Sequence, residues 1–301
     1  MDLKSYLADF SSQLESYFSD FFTKKITESS KLDPKFVDIY SYLKEYILGG
    51  KKIRGALVKL GYEMYGGKNN SSIIPVCAAI ELIHSGLLIQ DDWIDGDKSR
   101  RGLVSAHIKF GAGEAIVIGD IAIFEAYNLI GESKIITPMS KYLVNTGYGE
   151  IMDIRRGPAD IVHIYKTAHY SFVMPLSMGA ILAGATATEL KKLEDYGTNV
   201  GLAFQIRDDI LNITGDPKVT GKSILSDITS KKQTHIWKFA LDKNAFDPEH
   251  DTPEQIRDKF IACGAIDHAQ KIANAYAKDA KNQTENNILR ELADFVVLRD
   301  K

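Results

Sequence analysis

The amino-acid sequence predicts an all-α protein, and three observations support that fold class. Apolar residues recur at three- and four-residue steps in long segments, the first of which begins with Leu3, Leu7 and Phe10, and this is the spacing of an amphipathic helix. Helix start signals such as Asp33-Pro34 separate these segments. No stretch of any length alternates apolar and polar residues as a half-buried strand does. Because we find no internal repeat or interdomain linker, we predict one domain over residues 1–301.

The segment boundaries predict where the helices begin and end. The N-terminal amphipathic helix is followed by one from Asp33-Pro34 to Gly49-Gly50, one that ends at Gly66-Gly67, one capped by Ser71 or Ser72, one from Thr137-Pro138 to Gly157, one that begins at Lys166-Thr167, one over residues 188–213, and three more that start at Thr252-Pro253, start after Gly264 and end near Arg299.

Composition excludes several classes of protein. The net charge of -3 argues against a nucleic-acid-binding surface. With only Cys77 and Cys263, the chain has neither a disulfide framework nor zinc-site spacing, which fits a reducing compartment. The N-terminus lacks the pattern of a signal peptide. Residues 170–188 are uncharged and just long enough to span a membrane, but Pro175 and several Ser and Gly favour a buried core helix. We expect a cytoplasmic protein without a membrane span.

The first candidate site is acidic and follows an apolar helical run that starts near Ile73. If that helix continues to Asp95, Asp91 and Asp95 lie one turn apart on one face with Asp92 beside them. Carboxylates so close repel one another, and Mg²⁺, which binds carboxylate and phosphate oxygens, would compensate the repulsion.

Basic residues and a second acidic pair extend this interpretation. Arg100 and Arg101 follow the acids directly, and guanidinium groups bind phosphate oxygens through paired hydrogen bonds. Alone, the segment fits a metal-bridged diphosphate and a solvated acidic helix end equally well. Asp208-Asp209, the only other Asp-Asp pair, also lies late in an apolar helical run and favours the metal site.

These residues carry a family resemblance. The first and second aspartate-rich motifs of the trans-isoprenyl diphosphate synthases, or polyprenyl synthetases, resemble Asp91-Asp92-Trp93-Ile94-Asp95 with Arg100-Arg101-Gly102, and Phe204-Gln205-Ile206-Arg207-Asp208-Asp209. The resemblance spans about residues 49–234 through several motifs in the expected order. It implies an isoprenoid synthase-type bundle of ten or more helices around a deep central cavity, with the two acidic clusters facing each other at its mouth.

The resemblance also implies a reaction. An allylic diphosphate ionises with the help of Mg²⁺, isopentenyl diphosphate attacks the cation head-to-tail, and a proton is lost. Relatives use three Mg²⁺ ions with substrate bound, and they are usually homodimers.

Roles for individual residues follow from the same resemblance. The implied metal ligands are Asp91, Asp92, Asp95, Asp208 and Asp209. The residues that would bind isopentenyl diphosphate are Lys51, Arg54, His84 and Arg101. Those that would bind the allylic diphosphate are Arg100, Lys166, Lys222 and Lys232. The carbonyl of Gln205 and the hydroxyl of Thr167 would face the developing cation. Catalysis therefore depends on Asp91, Asp92, Asp208, Asp209, Lys166, Thr167 and Gln205.

The sequence departs from the family pattern in several of its motifs, including Ser230-Lys231 where relatives usually have Glu-Gly. Gly55 stands where relatives usually have proline, Glu150 where they commonly have glutamine, and Asn212 where many have aspartate. We expect the site to function with Gly55 and Asn212. Glu150 adds negative charge near the proposed metals, and the sequence leaves open whether it tunes or weakens the site.

Product length depends on residues upstream of Asp91, where the growing tail would run. In the family a large aromatic residue near this position stops elongation early. Gly86 and Leu87 lie here, so the resemblance implies a product of at least twenty carbons unless another helix closes the tunnel, and Gly86→Phe would shorten the product.

Two other classes of protein share these motifs. A non-catalytic regulatory subunit of a heteromeric synthase tends to lose an aspartate cluster, and this chain keeps both. A terpene cyclase shares the fold and the metal chemistry, but Lys51 and Arg54 argue against it.

Overall fold

A computed structural model describes residues 1–215 and 225–299 of the chain. Its first helices and strands are α1 Leu3–Ser29, α2 Phe36–Leu48, α3 Ile53–Met64, α4 Asn70–Ile94, β1 Ser99–Arg100, β2 Leu103–Val104, α5 Ala106–Lys109 and α6 Ala112–Ile130. They are followed by α7 Ile136–Ile154, α8 Ala159–Val162, a π-helix His163–Val173, α9 Met174–Ala183, α10 Ala187–Thr214, α11 Ser226–Thr229, α12 His235–Asp242, α13 Pro253–Ala262, α14 Ala265–Asn282 and α15 Asn287–Leu298. The predicted all-α fold is confirmed.

Several predicted boundaries are wrong in detail. Asn69, rather than Ser71 or Ser72, caps α4, because its side chain accepts the Ser71 N–H. Asp33 accepts the Lys35 N–H, and α2 begins only at Phe36. Lys166 begins no helix, since it lies inside the π-helix.

Two further differences concern short elements. β1 and β2 form an antiparallel hairpin of two residues each, which is too short for any periodicity to reveal. Within residues 235–299 the structure has four helices where three were predicted, because α12 was not predicted.

The chain divides into two compact units. The N-terminal unit comprises Lys4–Ile136 and Met178–Ala185, and the C-terminal unit comprises Met1–Leu3, Thr137–Ser177 and Thr186–Lys301. The prediction of one domain stays a prediction.

In the N-terminal unit, α4 is the central helix, and α2, α3, α5 and α6 pack against it. Its core positions are apolar on nearly every side, as expected for a helix enclosed by others. The buried side chains of α1 include Phe10, Leu14, Phe18 and Phe22. By length and composition, α4 is the one helix in the described part of the chain that could cross a membrane, and 72% of its most apolar window is buried in the protein. Burial on that scale is what the core helix of a globular unit shows.

In the C-terminal unit, α10 is the central helix and packs against the π-helix, α14 and α15. The π-helix lies very close to α10, because a Cβ on Gly201 would be 2.4 Å from the Ala168 Cα. α7 approaches the π-helix equally closely, since a Cβ on Gly149 would be 2.4 Å from the Lys166 nitrogen. These two glycines therefore bring Lys166 and Thr167 next to residues of α7 and α10.

Candidate active site

The N-terminal unit contains a basic cluster of Arg54, His84 and Arg101. Arg54 is in the first turn of α3, His84 is on α4, and Arg101 is in the β1–β2 turn. The Arg54 Nη1 lies 3.0 Å from the His84 Nε2, and the Arg101 Nη2 lies 3.4 Å from the same nitrogen. Arg101 also donates from Nη1 to the Tyr46 carbonyl at 2.8 Å. Three residues predicted to bind isopentenyl diphosphate are thus neighbours.

The charge of this cluster favours an anionic ligand. Guanidinium groups only donate, so the His84 Nε2 must accept and that imidazole is neutral in this arrangement. Burial, with the nearby positive charges of Arg100 and Arg54, lowers the pKa of Arg101, although Tyr46 and Glu81 oppose the shift. A diphosphate would stabilise these guanidinium groups through charge-assisted hydrogen bonds. Lys51, the fourth predicted ligand, is exposed just before α3.

The first acidic cluster lies at the end of α4. Asp91 and Asp92 are in its last turn, and Asp95 immediately follows its final residue. Asp92 is fully buried, and its Oδ2 accepts the Tyr46 hydroxyl at 2.9 Å. Burial raises the pKa of Asp92, although Arg100 and Tyr46 favour its charged form.

Arg100 binds the acids of this cluster. Its Nε donates to the Asp92 Oδ1, while its Nη2 lies 3.4 Å from the Asp91 Oδ2 and 3.2 Å from the Asp97 Oδ2. Asp92 is therefore the buried member of the three predicted carboxylates, and the buried Arg100 guanidinium neutralises its charge. The diphosphate-binding role of Arg100 and the metal-binding role of Asp92 stay predictions.

The C-terminal unit contains a hydrogen-bonded chain that ends at the second acidic cluster. The Thr167 hydroxyl donates to the Gln205 Oε1 at 2.6 Å, and the Gln205 Nε2 donates to the Asp209 Oδ1 at 3.0 Å. The Asp209 Oδ2 lies 3.3 Å from the His163 Nε2. Burial by itself lowers the pKa of His163, but the contact with Asp209 and the negative charges of Asp153 and Asp160 together raise it. Asp209 is thus a buried carboxylate with charged and polar neighbours on both oxygens.

Two lysines predicted at the allylic diphosphate belong to one ion-pair network. The Lys166 Nζ lies 2.8 Å from the Asp153 Oδ2 and 2.9 Å from the Glu150 Oε2. The Lys232 Nζ lies 3.1 Å from the same Asp153 oxygen. Although burial opposes it, the two lysines hold the pKa of Asp153 below its ordinary value. Lys222, the third predicted lysine, lies outside the described residues.

The pKa of Asp227 indicates an excess of negative charge near this network. Burial together with repulsion from Asp209, Asp153 and Asp208 raises its pKa to about 7, while Lys232 opposes the shift. Asp208 itself pairs with Arg299, whose Nη2 lies 2.6 Å from its Oδ1. A divalent cation would relieve this repulsion, so the carboxylates of the C-terminal unit fit a site for such an ion.

Within residues 1–215 and 225–299, no group of three or more His, Cys, Asp or Glu side chains stands ready to hold a metal ion by itself. Mg²⁺ commonly takes one or two carboxylates and completes its shell with water and substrate phosphate oxygens. A site for that ion therefore does not need three protein ligands.

The candidate product-length residues lie on α4. Gly86 faces α6, because a Cβ placed on it would be 2.5 Å from the Gly119 carbonyl oxygen. Leu87 is half-buried. Since helix packing already accounts for the small residue at position 86, Gly86→Phe would disturb the fold and cannot test product length.

Sequence reasoning missed several residues of these clusters. Tyr46, Asp97 and His163 all contact predicted site residues. Tyr46 reads as one more apolar position of α2, and His163 as a lone histidine. Of these three residues, only Asp97 could have been found from the sequence, because it lies three residues before Arg100 and can pair with it.

Comparison with known proteins identifies the family. The family model "Polyprenyl synthetase" matches residues 37–276. The geranylgeranyl diphosphate synthase of Sulfolobus acidocaldarius is 28% identical, over 95% of this chain and 100% of that protein. A short chain isoprenyl diphosphate synthase of Methanothermobacter thermautotrophicus is 32% identical, over 84% of this chain and 87% of that protein. This chain belongs to the polyprenyl synthetase family.

Solved structures agree with this assignment. A polyprenyl synthase from Caulobacter crescentus CB15, complexed with calcium and isoprenyl diphosphate, superposes with a TM-score of 0.83 at 27% identity, over 97% of this chain and 98% of that one. The geranylgeranyl pyrophosphate synthetase of Geoglobus acetivorans gives a TM-score of 0.81 at 26% identity, over 97% and 99% of the two chains.

Proposed function

We propose that this chain is a Mg²⁺-dependent trans-prenyltransferase that condenses isopentenyl diphosphate head-to-tail with an allylic diphosphate. Its product is a trans-polyprenyl diphosphate of twenty carbons or more. The observation that carries the proposal is the basic cluster of Arg54, His84 and Arg101, because two half-buried guanidinium groups beside a buried imidazole fit a diphosphate. Family membership and relatives named as geranylgeranyl and geranylfarnesyl diphosphate synthases support it.

In this proposal isopentenyl diphosphate binds the basic cluster, and Lys51 contributes from the exposed start of α3. Fixed guanidinium groups hold the diphosphate so that the alkene faces the reacting carbon, which raises the rate through proximity and orientation. Arg54 and Arg101 are already held by protein contacts, so little rearrangement is needed when substrate binds.

The allylic diphosphate binds Lys166, Lys232, Lys222 and Arg100. Asp91, Asp92, Asp95, Asp208 and Asp209 would hold the Mg²⁺ ions, which we propose number three when substrate is bound. A bound divalent cation supplies a Lewis acid that neutralises the leaving diphosphate. The raised pKa of Asp227 supports a cation in the C-terminal unit.

Gln205 and Thr167 stabilise the allylic cation. The Gln205 carbonyl oxygen accepts the Thr167 hydroxyl, and that bond fixes the direction of the amide dipole. A fixed dipole in a site that excludes water acts more strongly than solvent does. No protein base is assigned, and the released diphosphate takes the proton.

We further propose a cytoplasmic homodimer. α6 exposes Ile116, Val117 and Phe124 on its surface, at 37%, 55% and 65% of their full accessibility, and these positions fall within one apolar stripe roughly 100° wide. A second copy of the chain would bury that face. Sedimentation velocity would test the dimer, and Phe124→Asp should shift it toward the monomer.

The activity is tested by incubating purified protein with Mg²⁺, isopentenyl diphosphate and allylic diphosphates of increasing length. Mass spectrometry of the products should show prenyl diphosphates extended in five-carbon steps. A cyclised hydrocarbon would identify a terpene cyclase. Activity only with an added partner synthase would identify a regulatory subunit.

A further inference from the structure

Glu81 is a buried carboxylate one turn before His84 on α4, and the proposed function gives it no role. It is 3% exposed, and its Oε1 accepts the Gly55 N–H at 2.8 Å. An unpaired buried carboxylate is costly, so this contact with the backbone is a substantial part of its stabilisation.

The first turn of α3 presents two successive residues to α4. Arg54 contacts the His84 imidazole, and Gly55 donates its N–H to Glu81. The N–H groups of a first helical turn have no partner within the helix, so Glu81 satisfies a donor that would otherwise be unpaired there. A negative charge near a helix N-terminus is also favourable.

Gly55 lets the two helices come this close. A Cβ at position 55 would lie 3.0 Å from the Phe10 ring, 3.1 Å from the Cys77 carbonyl oxygen and 3.3 Å from the Glu81 Cγ. Proline, which relatives usually have here, lacks the N–H and could not make the bond. The glycine and the carboxylate therefore act together.

We infer that Glu81 is a positioning residue for isopentenyl diphosphate. Its hydrogen bond to Gly55 fixes the first turn of α3 on α4, and so holds the Arg54 guanidinium at the place where the diphosphate binds. The inference rests on the proposed function, because it assumes that Arg54 and His84 bind that substrate.

The test compares Glu81→Gln, which keeps a carbonyl acceptor, with Glu81→Leu, which has none. Binding of isopentenyl diphosphate alone is measured by calorimetry, and the KM values for both substrates by steady-state kinetics. We expect Glu81→Leu to weaken the binding of isopentenyl diphosphate at least about tenfold, which is about 1.4 kcal/mol of binding free energy. The KM for the allylic diphosphate should stay within about twofold of the wild-type value. Glu81→Gln should restore most of the binding.

Glu125→Leu is the matched control. Glu125 is another buried carboxylate of the N-terminal unit, which accepts the Tyr40 hydroxyl at 3.0 Å and pairs with Lys25 at 2.7 Å. Its replacement should lower the thermal stability of the protein and leave isopentenyl diphosphate binding unchanged. Equal loss of binding in this control would mean that Glu81 acts through general stability.

Other results would overturn the inference. Normal binding by Glu81→Leu would show that the hydrogen bond does not position Arg54, and equally weak binding by Glu81→Gln would show that charge is what matters. If Glu81→Leu does not fold, hydrogen exchange in wild-type protein decides, since a Gly55 amide that exchanges as fast as an exposed one contradicts the bond. Absence of condensation by wild-type protein would instead refute the proposed function.

Discussion

Replacing Asp227 by asparagine tests the charge balance of the C-terminal unit. The side chain is 15% exposed, its Oδ1 lies 3.8 Å from the Lys232 Nζ, and burial with three neighbouring aspartates raises its pKa from 3.8 to about 7. Because the pKa is higher in the folded protein than in the unfolded chain, ionisation of Asp227 destabilises the fold progressively as the pH rises from about 4 to about 7.

The size of the effect follows from the two pKa values. Each pH unit between them costs about 1.4 kcal/mol. The penalty is thus on the order of 4 kcal/mol at pH 8 and between about 1 and 2 kcal/mol at pH 5. Asparagine resembles the neutral acid at both pH values and removes the penalty.

The assay is thermal unfolding without metal, followed by circular dichroism. At about 2 °C per kcal/mol for a chain of this size, Asp227→Asn should unfold roughly 8 °C above the wild type at pH 8 and roughly 3 °C above it at pH 5. Added Mg²⁺ should narrow the difference at pH 8, since a bound cation relieves the same repulsion. Asp279→Asn, an exposed change on α14, is the control and should have no effect.

A shift of equal size at pH 5 and pH 8 would refute this reasoning. So would destabilisation by asparagine at pH 8, because it would mean that attraction to Lys232 outweighs the repulsion by the other acids.

Three further changes test individual contacts. Arg101→Lys should raise the KM for isopentenyl diphosphate by roughly tenfold or more, since a lysine cannot bond both the Tyr46 carbonyl and a phosphate as a guanidinium does; an unchanged KM in steady-state assays would count against the basic cluster. Glu150→Gln should lower the KM for the allylic diphosphate about fivefold, because it removes one ion pair worth about 1 kcal/mol that competes for Lys166; a raised KM would contradict that role. Gly86→Ala should cost about 1–3 kcal/mol of stability by overpacking α4 against α6, and an unchanged Tm would mean that the two helices separate easily.

The sequence predicted those features that depend on local spacing. The apolar periodicity of α4 continues into its acidic end, so Asp91 and Asp92 are in its last turn as predicted. The glycine pair after α2 predicted the start of α3, and the basic residues there include one that meets His84.

Contacts between distant segments could not be predicted in this way. Tyr46 and Asp92 are 46 residues apart in the chain. The Tyr46 hydroxyl and the Arg100 guanidinium both contact the Asp92 carboxylate and so stabilise it in its buried position. The π-helix left no sign in the side-chain pattern, and neither did its close approach to Gly149 of α7 and Gly201 of α10. Partners as far apart as these depend on packing, which a single sequence does not display.

The most direct test of the central claim is the turnover of Asp91→Ala and Asp208→Ala with Mg²⁺, isopentenyl diphosphate and an allylic diphosphate. Both variants should fold normally by circular dichroism and lose activity by orders of magnitude, because each removes a carboxylate proposed to bind the metal that activates the leaving group. Asp20→Ala and Asp258→Ala, exposed changes in the two units, should keep wild-type turnover. Near-normal turnover by both Asp91→Ala and Asp208→Ala would contradict the claim that the two acidic clusters drive the reaction.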